Sequence, residues 1–530
     1  MFRPDNLHPA AIAAREPKRP ALTLGDTTWT YGDLETAANR LAHGLRRAGV
    51  KPGDGIAVLL GNQLEIFAAF WAAMRSGCYY TPISTHLQGE EIAWILQSAR
   101  PKLLLTSQDF LDRLTPIADS LPAISLRVDT APSPAPWQAL EAFTAGQPDT
   151  FPEDASEGAA LLFSSGTTGR PKGVINARPG AVPGTIGELA RRRMALHEID
   201  EKVTYLSTAP LYHSAPLRYT EMVLRKGGHC VIMERFDATK ALELIERHRV
   251  THSQWVPTMF VRLLRLPEAL RQGHDLASHR YAVHAAAPCP PEVKRAMLAW
   301  WGPIIHEYYS ATEANGQTVI GPEEWLAHPG SVGRPLLGEV RIRDEAGRDL
   351  PAGETGLVYL GGGARFEYLD DAEKTAAAYA ADGLSTLGDI GYLDADGYLY
   401  LTDRRDFTII SGGVNIYPRE VEDILLAHPR VADAAVFGLP DPEFGERVHA
   451  VVEPVAAAAH DPGLAGELRD FCRQRLAHLK CPRDFEFRAH LPRLPTGKLA
   501  KGSLRLEVMA ALAASHGESG GGTFQPASLQ

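Results

Sequence analysis

The run Ser164-Ser165-Gly166-Thr167-Thr168-Gly169-Arg170-Pro171-Lys172-Gly173 carries the densest chemistry in the chain: four hydroxyls, three glycines and two cations in ten residues, directly after the apolar stretch Ala159–Phe163. Glycines let successive N–H groups converge on an anion, hydroxyls donate further hydrogen bonds, and Arg170 and Lys172 add positive charge. Such a loop can wrap phosphate oxygens. Its spacing, Gly-x-x-Gly-x-x-Lys, differs from the GxxxxGK[ST] loop that cradles phosphates in P-loop proteins. Glycine and serine are also ordinary turn residues, so composition alone leaves a plain surface turn open.

The loop resembles the phosphate loop of the adenylate-forming superfamily, which comprises acyl-CoA synthetases, firefly luciferases and peptide-synthetase adenylation domains. Further motifs follow in the family's order between about Thr30 and Lys501, roughly nine-tenths of the chain. The resemblance implies nucleotide contacts from Ser164, Ser165, Gly166, Thr167, Thr168, Gly169 and Lys172. Tyr308-Tyr309-Ser310-Ala311-Thr312-Glu313 is similar to the segment in which a tyrosine, here Tyr309, stacks on adenine and Thr-Glu holds phosphate and Mg²⁺. A hydroxyl and a hard carboxylate oxygen suit that work. The family's glycine is Ser310 here, at a position that commonly lines the acyl pocket. Ala286, within Ala285-Ala286-Ala287-Pro288, stands in the small-residue segment that approaches adenine.

Leu387-Gly388-Asp389 stands where the family has Thr-Gly-Asp, which implies that Asp389 accepts both ribose hydroxyls, while Leu387 departs from the threonine. Arg404 corresponds to the arginine supporting ribose and phosphate. Asp406 falls on the hinge, followed by Phe407 where many relatives have aspartate. Gly412 and Gly413 correspond to the coenzyme A tunnel, and Lys498, in Leu494-Pro495-Thr496-Gly497-Lys498, to the mobile catalytic lysine. His213 matches a position bordering the acyl carboxylate. Read singly, each has a plain alternative: a Thr-Glu pair caps helices, an Asp after Gly makes a turn, and most lysines are merely solvated. The order of the series carries the assignment.

The resemblance implies catalytic roles for Lys498, Glu313, Thr312 and His213, with ATP, Mg²⁺ and coenzyme A as cofactor and co-substrates. The expected reaction activates a hydrophobic carboxylic acid as its acyl-adenylate and transfers it to coenzyme A. Loading of a carrier protein's phosphopantetheine uses the same motifs. A luciferase-like oxygenase shares the first step, and a non-catalytic nucleotide sensor is the reading from another class.

These residues need elements to hold them. Apolar runs such as Gly55–Leu60, Pro101–Thr106, Val203–Ser207, His229–Met233 and Tyr281–His284 alternate with amphipathic stretches. That order predicts an α/β fold with parallel strands. From about Ser331 short strands broken by Asp344–Gly347 and Asp394–Gly397 predict a small β-rich subdomain. After the charged connector Asp403–Asp406, helices from Pro418 and Gly463 alternate with strands at Ala434–Phe437 and His449–Val452. The expectation is a large N-terminal domain over residues 1–405, with two α/β sheet layers plus the β-rich subdomain. A small mobile α+β domain over 406–514 and a flexible tail over 515–530 complete it.

With 530 residues the chain exceeds the roughly 250–300 at which one core stops growing. Its formal charge of −10 argues against nucleic-acid binding, and small molecules are the expected partners. A homodimer is compatible with the sequence. Five widely spaced cysteines without a CxxC pair suggest neither a disulfide framework nor a zinc site, and a reducing cytoplasm fits. The Met1–Asn6 start lacks a secretory signal's apolar core. The apolar stretch Glu65–Met74 is shorter than the about 20 residues a bilayer requires and predicts a buried helix.

Overall fold

The computed structural model describes residues 7–129, 137–164, 171–404, 407–411, 414–442, 444–458, 461–493 and 499–517. The chain divides into two compact units: Met1–Leu387 with Tyr392–Tyr400, and Gly388–Gly391 with Leu401–Gln530. The main segment of the second unit thus begins upstream of Asp406, within the strand Leu399–Arg404.

Among the described residues, the first unit holds a nine-stranded and an eight-stranded sheet. The nine-stranded sheet has a parallel centre in which Tyr281–His284 lies between His252–Trp255 and Ile305–Ser310. Two antiparallel strands, Gln317–Ile320 and Arg334–Leu337, extend one edge. In the eight-stranded sheet the central parallel strands Tyr79–Pro82, Gly55–Leu59 and Pro101–Thr106 carry the apolar runs, as strands buried on both faces must. At one edge the hairpin Ala159–Ser164/Lys172–Ile175 places Ser164 opposite Lys172, and the short strand Glu367–Tyr368 pairs outside it.

The apolar stretch expected to be a buried helix is one, Glu65–Arg75, and every residue from Ile66 to Arg75 is buried. Apolar on all sides, it packs with Tyr31–Arg47 and Ser214–Lys226 into one core that includes residues of both sheets. Arg75, fully buried, is held by Glu35 at 2.7 Å. A small sheet, in the order Val340–Arg343, Gly356–Leu360, Ser385–Leu393, Leu399–Arg404, forms the expected β-rich part. Its turns place Gly347 and Gly397 at φ of +78° and +80°.

In the second unit the long hairpin Val431–Asp441/Gly445–Pro454 forms the sheet's spine. Helices Pro418–Leu426 and Leu464–Arg473 supply one core cluster with it, and the last helix supplies residues to another, including Leu504 and Val508 against Phe437 and Val451. That helix runs Lys501–Gly517, so Ser515–Gly517 are helical where a flexible tail was expected. The alanine-rich run Ala510–Ala514 favours propagation, and helix extension needs only one more bond per residue.

Six histidines in or beside the nine-stranded sheet have pKa values pushed well down, in each case chiefly by burial: His197 and His284 well below the ordinary range, His229, His252 and His306 to about 4, and His279 to about 3. They stay neutral in the folded chain, whereas the unfolded chain protonates near 6.5. Their stabilising contribution is complete above about pH 6.5 and is lost as the pH falls toward 4. The melting temperature should be flat from pH 8 to 7 and fall by several degrees between 6.5 and 4.5, before most carboxylates titrate. His279→Gln should make that fall shallower, as read by thermal unfolding at each pH.

Candidate active site

The sequence places its candidate residues where parallel strands end, and in an open α/β sheet ligands bind outside those carboxyl ends. His213, Ala286 and the segment Tyr309–Glu313 follow, or sit at the ends of, the strands Thr204–Ser207, Tyr281–His284 and Ile305–Ser310. Two residues just past strand ends, Ala286 and Ala314, have left-handed backbones at φ of +75° and +53°. For a non-glycine residue this costs about 1 kcal/mol or more and persists where the surroundings impose it. Ala286 is exposed, so its backbone offers a flat, side-chain-poor surface.

Beneath that edge, Lys294 Nζ lies 2.6 Å from Glu307 Oε2, and both are buried. Glu307 pairs in register with His284, whose Nε2 is 3.4 Å from the same oxygen. Burial first, and then the Lys294 charge, hold His284 neutral. The pair pins the two strand ends from below.

Two hydrogen bonds tie the phosphate-loop hairpin to Thr312 and Glu313. Asn176, just past the strand Lys172–Ile175, donates from Nδ2 to the Thr312 carbonyl at 3.0 Å. Tyr368, paired with Val174 across the same strand, donates its hydroxyl to Glu313 Oε1 at 3.0 Å. Glu313 is buried, and no cationic side chain lies within ion-pair distance of it among the described residues. A buried carboxylate with only neutral partners is a fitting donor for a hard divalent cation. The stem of the loop is fixed as well, since Trp94 Nε1 donates to the Pro171 carbonyl at 3.1 Å. A Cβ on Gly173 would stand 3.0 Å from Leu369 and 3.2 Å from Phe163.

His213 caps the helix Ser214–Lys226 with extended backbone, its ring 4.4 Å from that of Tyr212. The preceding turn is clamped by buried Asn62, which accepts from Leu211 N at 2.9 Å and donates to the Met233 carbonyl at 2.7 Å. Ser310, which replaces the family's glycine, donates to the Gly316 carbonyl at 2.8 Å and so closes its own turn. Leu387, which replaces threonine, packs against the cluster of Val174, Phe366 and Ala378.

The first unit therefore assembles Ser164, Lys172, His213, Ala286, Tyr309, Thr312 and Glu313 along strand ends and the adjoining hairpin. Asp389, buried on the strand Ser385–Leu393, and Arg404, ending the strand Leu399–Arg404, belong to the second unit. Ser165, Gly166, Thr167, Thr168, Gly169, Asp406, Gly412, Gly413 and Lys498 lie outside the described residues. Asn62, Asn176 and Tyr368 are supports that the sequence reading missed. Each is a single polar residue without a periodic signal, brought to the site only by strand pairing and loop packing.

The model for the AMP-binding enzyme family matches residues 10–367, and that for its C-terminal domain matches 420–498. The chain belongs to the AMP-binding enzyme family. It is 33% identical over 500 residues to the sulfoacetate–CoA ligase of Cupriavidus necator, covering 93% of this chain and 95% of that protein. It is 32% identical over 505 residues to the fatty acid–[acyl-carrier-protein] ligase ScoC of Streptomyces coeruleorubidus, covering 93% and 94%. The o-succinylbenzoate CoA synthetase MenE of Bacillus subtilis, solved with its acyl-adenylate OSB-AMP, superposes with a TM-score of 0.80 at 30% identity, covering 94% of this chain and 98% of that one.

Loss of a hydrogen bond to a charged group costs roughly 1.5–3 kcal/mol. Tyr368→Phe removes the hydroxyl on Glu313 and should lower kcat/KM for MgATP by about tenfold or more with the fold retained. Steady-state pyrophosphate release at varied MgATP, alongside thermal unfolding, checks both parts.

Proposed function

We propose that the protein is an AMP-forming acid–thiol ligase that activates a carboxylic acid with ATP and passes the acyl group to coenzyme A. The observation that carries this reading is the buried Glu313 carboxylate, without an ion pair among the described residues, tied through Tyr368 to the strand leaving the phosphate loop and set near the strand ends at Ala286 and Tyr309. Family membership and the acyl-adenylate seen in a related structure support it.

In the first half-reaction a carboxylate oxygen attacks the α-phosphorus of ATP, and the bond to the β-phosphate oxygen breaks to release pyrophosphate. In the second, the coenzyme A thiolate attacks the acyl carbon and AMP leaves, the thiol proton having passed to solvent or a base. The loop from Ser164 to Lys172 holds phosphate oxygens, and Thr312 donates its hydroxyl to the α-phosphate. Glu313 would hold Mg²⁺, which when bound offsets phosphate charge. Tyr309 and Ala286 receive the adenine, while Asp389 and Arg404 take the ribose. His213 borders the acyl carboxylate. Position and charge perform the work, as is usual at phosphorus.

We assign Lys498 to charge stabilisation in adenylation, Gly412 and Gly413 to passage of the pantetheine arm, and Asp406 to the hinge that lets one small domain serve both steps. All five cysteines are buried and unpaired, in keeping with a cytoplasmic enzyme.

Carrier-protein loading is the second reading, favoured by the likeness to ScoC. Thioester formation assayed with coenzyme A and with a phosphopantetheinylated carrier protein separates the two, and the proposal expects turnover with free coenzyme A. Acid-dependent ATP–pyrophosphate exchange absent across aliphatic, aromatic and dicarboxylic acids would sink the ligase reading itself. Lys498→Ala should cut adenylation by at least a hundredfold yet still convert a supplied acyl-adenylate to its thioester. Equal loss of both half-reactions would refute the split.

A further inference from the structure

Charged groups in the core around the helix Ser214–Lys226 occur in balanced sets, with one exception. Arg75 is bonded to Glu35 through both carboxylate oxygens, at 2.7 and 2.9 Å. Arg225 reaches Glu157 at 2.5 Å and Glu221 at 2.9 Å, and Glu221 in turn reaches Arg218 at 3.1 Å, so two carboxylates answer two guanidiniums. Arg193 stands outside these sets. It lies in the last turn of the helix Glu188–Leu196, with no carboxylate in ion-pair range among the described residues. Its contacts are neutral: Nη2 donates to Gln317 Oε1, and the guanidinium carbon is 4.9 Å from the centre of the Tyr308 ring.

The Nε of Arg193 and the Nε2 of Gln317 are both buried, and neither has a hydrogen-bond partner. Burial pushes the guanidinium below its ordinary pKa, and the charge of Arg218 acts in the same direction. The group nonetheless stays charged, because a guanidinium does not deprotonate at physiological pH. A half-buried guanidinium whose Nε is shut away without a partner and whose charge meets no carboxylate among the described residues is costly, and an anion that meets it recovers that cost with charge-assisted hydrogen bonds.

The place of Arg193 gives this cation a meaning. Tyr308 and Ser310 share one face of their strand, Gln317 pairs directly with Ser310, and Tyr309 points to the other face. Arg193 therefore meets the sheet on the side of Ser310, the position expected to line the acyl pocket. Ile186, Ala190, Ala215 and Val319 are apolar, only partly buried, and packed against the same core. Partly buried apolar side chains on the same core as a guanidinium that meets no carboxylate among the described residues suit a ligand with an apolar body and an anionic end.

Resting on the ligase reading, we infer that the acid activated here carries a second anionic group, a carboxylate or sulfonate, remote from the reacting carboxylate, and that Arg193 binds it. The Nε and Nη2 edge of a guanidinium matches the two oxygens of such a group, and Gln317 Nε2 is a further donor. The substrate class thus narrows from the hydrophobic carboxylic acid expected from the sequence to an acid that is apolar in the middle and charged at both ends.

The test measures pyrophosphate release for matched pairs: alkanedioic acids of four to ten carbons against the alkanoic acids of the same lengths, and benzenedicarboxylic acids against benzoic and methylbenzoic acids. The wild-type enzyme should favour the best diacid over its matched monoacid by at least tenfold in kcat/KM, mainly through KM. Arg193→Met should reduce kcat/KM for that diacid at least tenfold more than for the monoacid, and Arg193→Lys should fall between. Should the Met variant fold poorly, thermal stabilisation of the wild-type protein by the diacid over the monoacid reads the same preference. Equal or better turnover of monoacids by the wild-type enzyme, or an equal loss for both acids in the variants, overturns the assignment of Arg193 and leaves the ligase reading intact. No pyrophosphate release with any acid overturns both.

Discussion

A buried carboxylate is an arrangement that a protein keeps only with strong support, and Glu313 has, among the described residues, a neutral partner and no ion pair. Its support comes from the Tyr368 hydroxyl, which belongs to the eight-stranded sheet, while Glu313 itself follows a strand of the nine-stranded sheet. One hydrogen bond thus relates the two halves of the proposed nucleotide face: the hairpin Ala159–Ser164/Lys172–Ile175, and the strand ends that carry Ala286 and Tyr309. The Asn176 bond to the Thr312 carbonyl makes the connection double. The two sheets are held in turn by the helix Glu65–Arg75, apolar all round, and by the buried faces of Tyr31–Arg47 and Ser214–Lys226, so that the polar face rests on a core with little freedom to shift.

The same economy of position governs the opposite face of the strand Ile305–Ser310. Alternation along it sends Tyr309 toward the face proposed to receive adenine and Tyr308 toward the helices Glu188–Leu196 and Ser214–Lys226. On the proposed assignments one strand would serve two recognition tasks whose side chains lie on opposite faces. Substitutions that would disturb one task, such as Ser310 in place of glycine, are accommodated by local bonds without reaching the other.

Much of the fold was legible in the sequence. Strands buried on both faces, such as Gly55–Leu59 and Pro101–Thr106, appear as continuous apolar runs, and Glu65–Arg75 is too apolar for any surface position. The order of strands within each sheet was not legible, because four-residue strands carry no mark of their neighbours. The phosphate loop and Thr312-Glu313 stood out by composition and order. Tyr368, Asn176 and Arg193 did not, since their roles arise from register: Tyr368 matters because it pairs with Val174, and Arg193 because Gln317 lies opposite Ser310. At the C-terminus, glycine and serine content pointed to a loose tail from Ser515, whereas helix propagation from the alanines before it carries on to Gly517.

Asn62 joins the turn before His213 to the carbonyls of Ala209 and Met233, across sequence separations of 147 to 171 residues. Contacts so distant along the chain form only after large loops have closed, so they are late events in folding. A growing polypeptide can complete its first parallel strands and helices while the rim around His213 is still unmade, and that rim waits for Met233 to leave the ribosome. The clamp on the turn before His213 is thereby delayed until the strand leading to Met233 exists, and a shorter, partly synthesised chain lacks it.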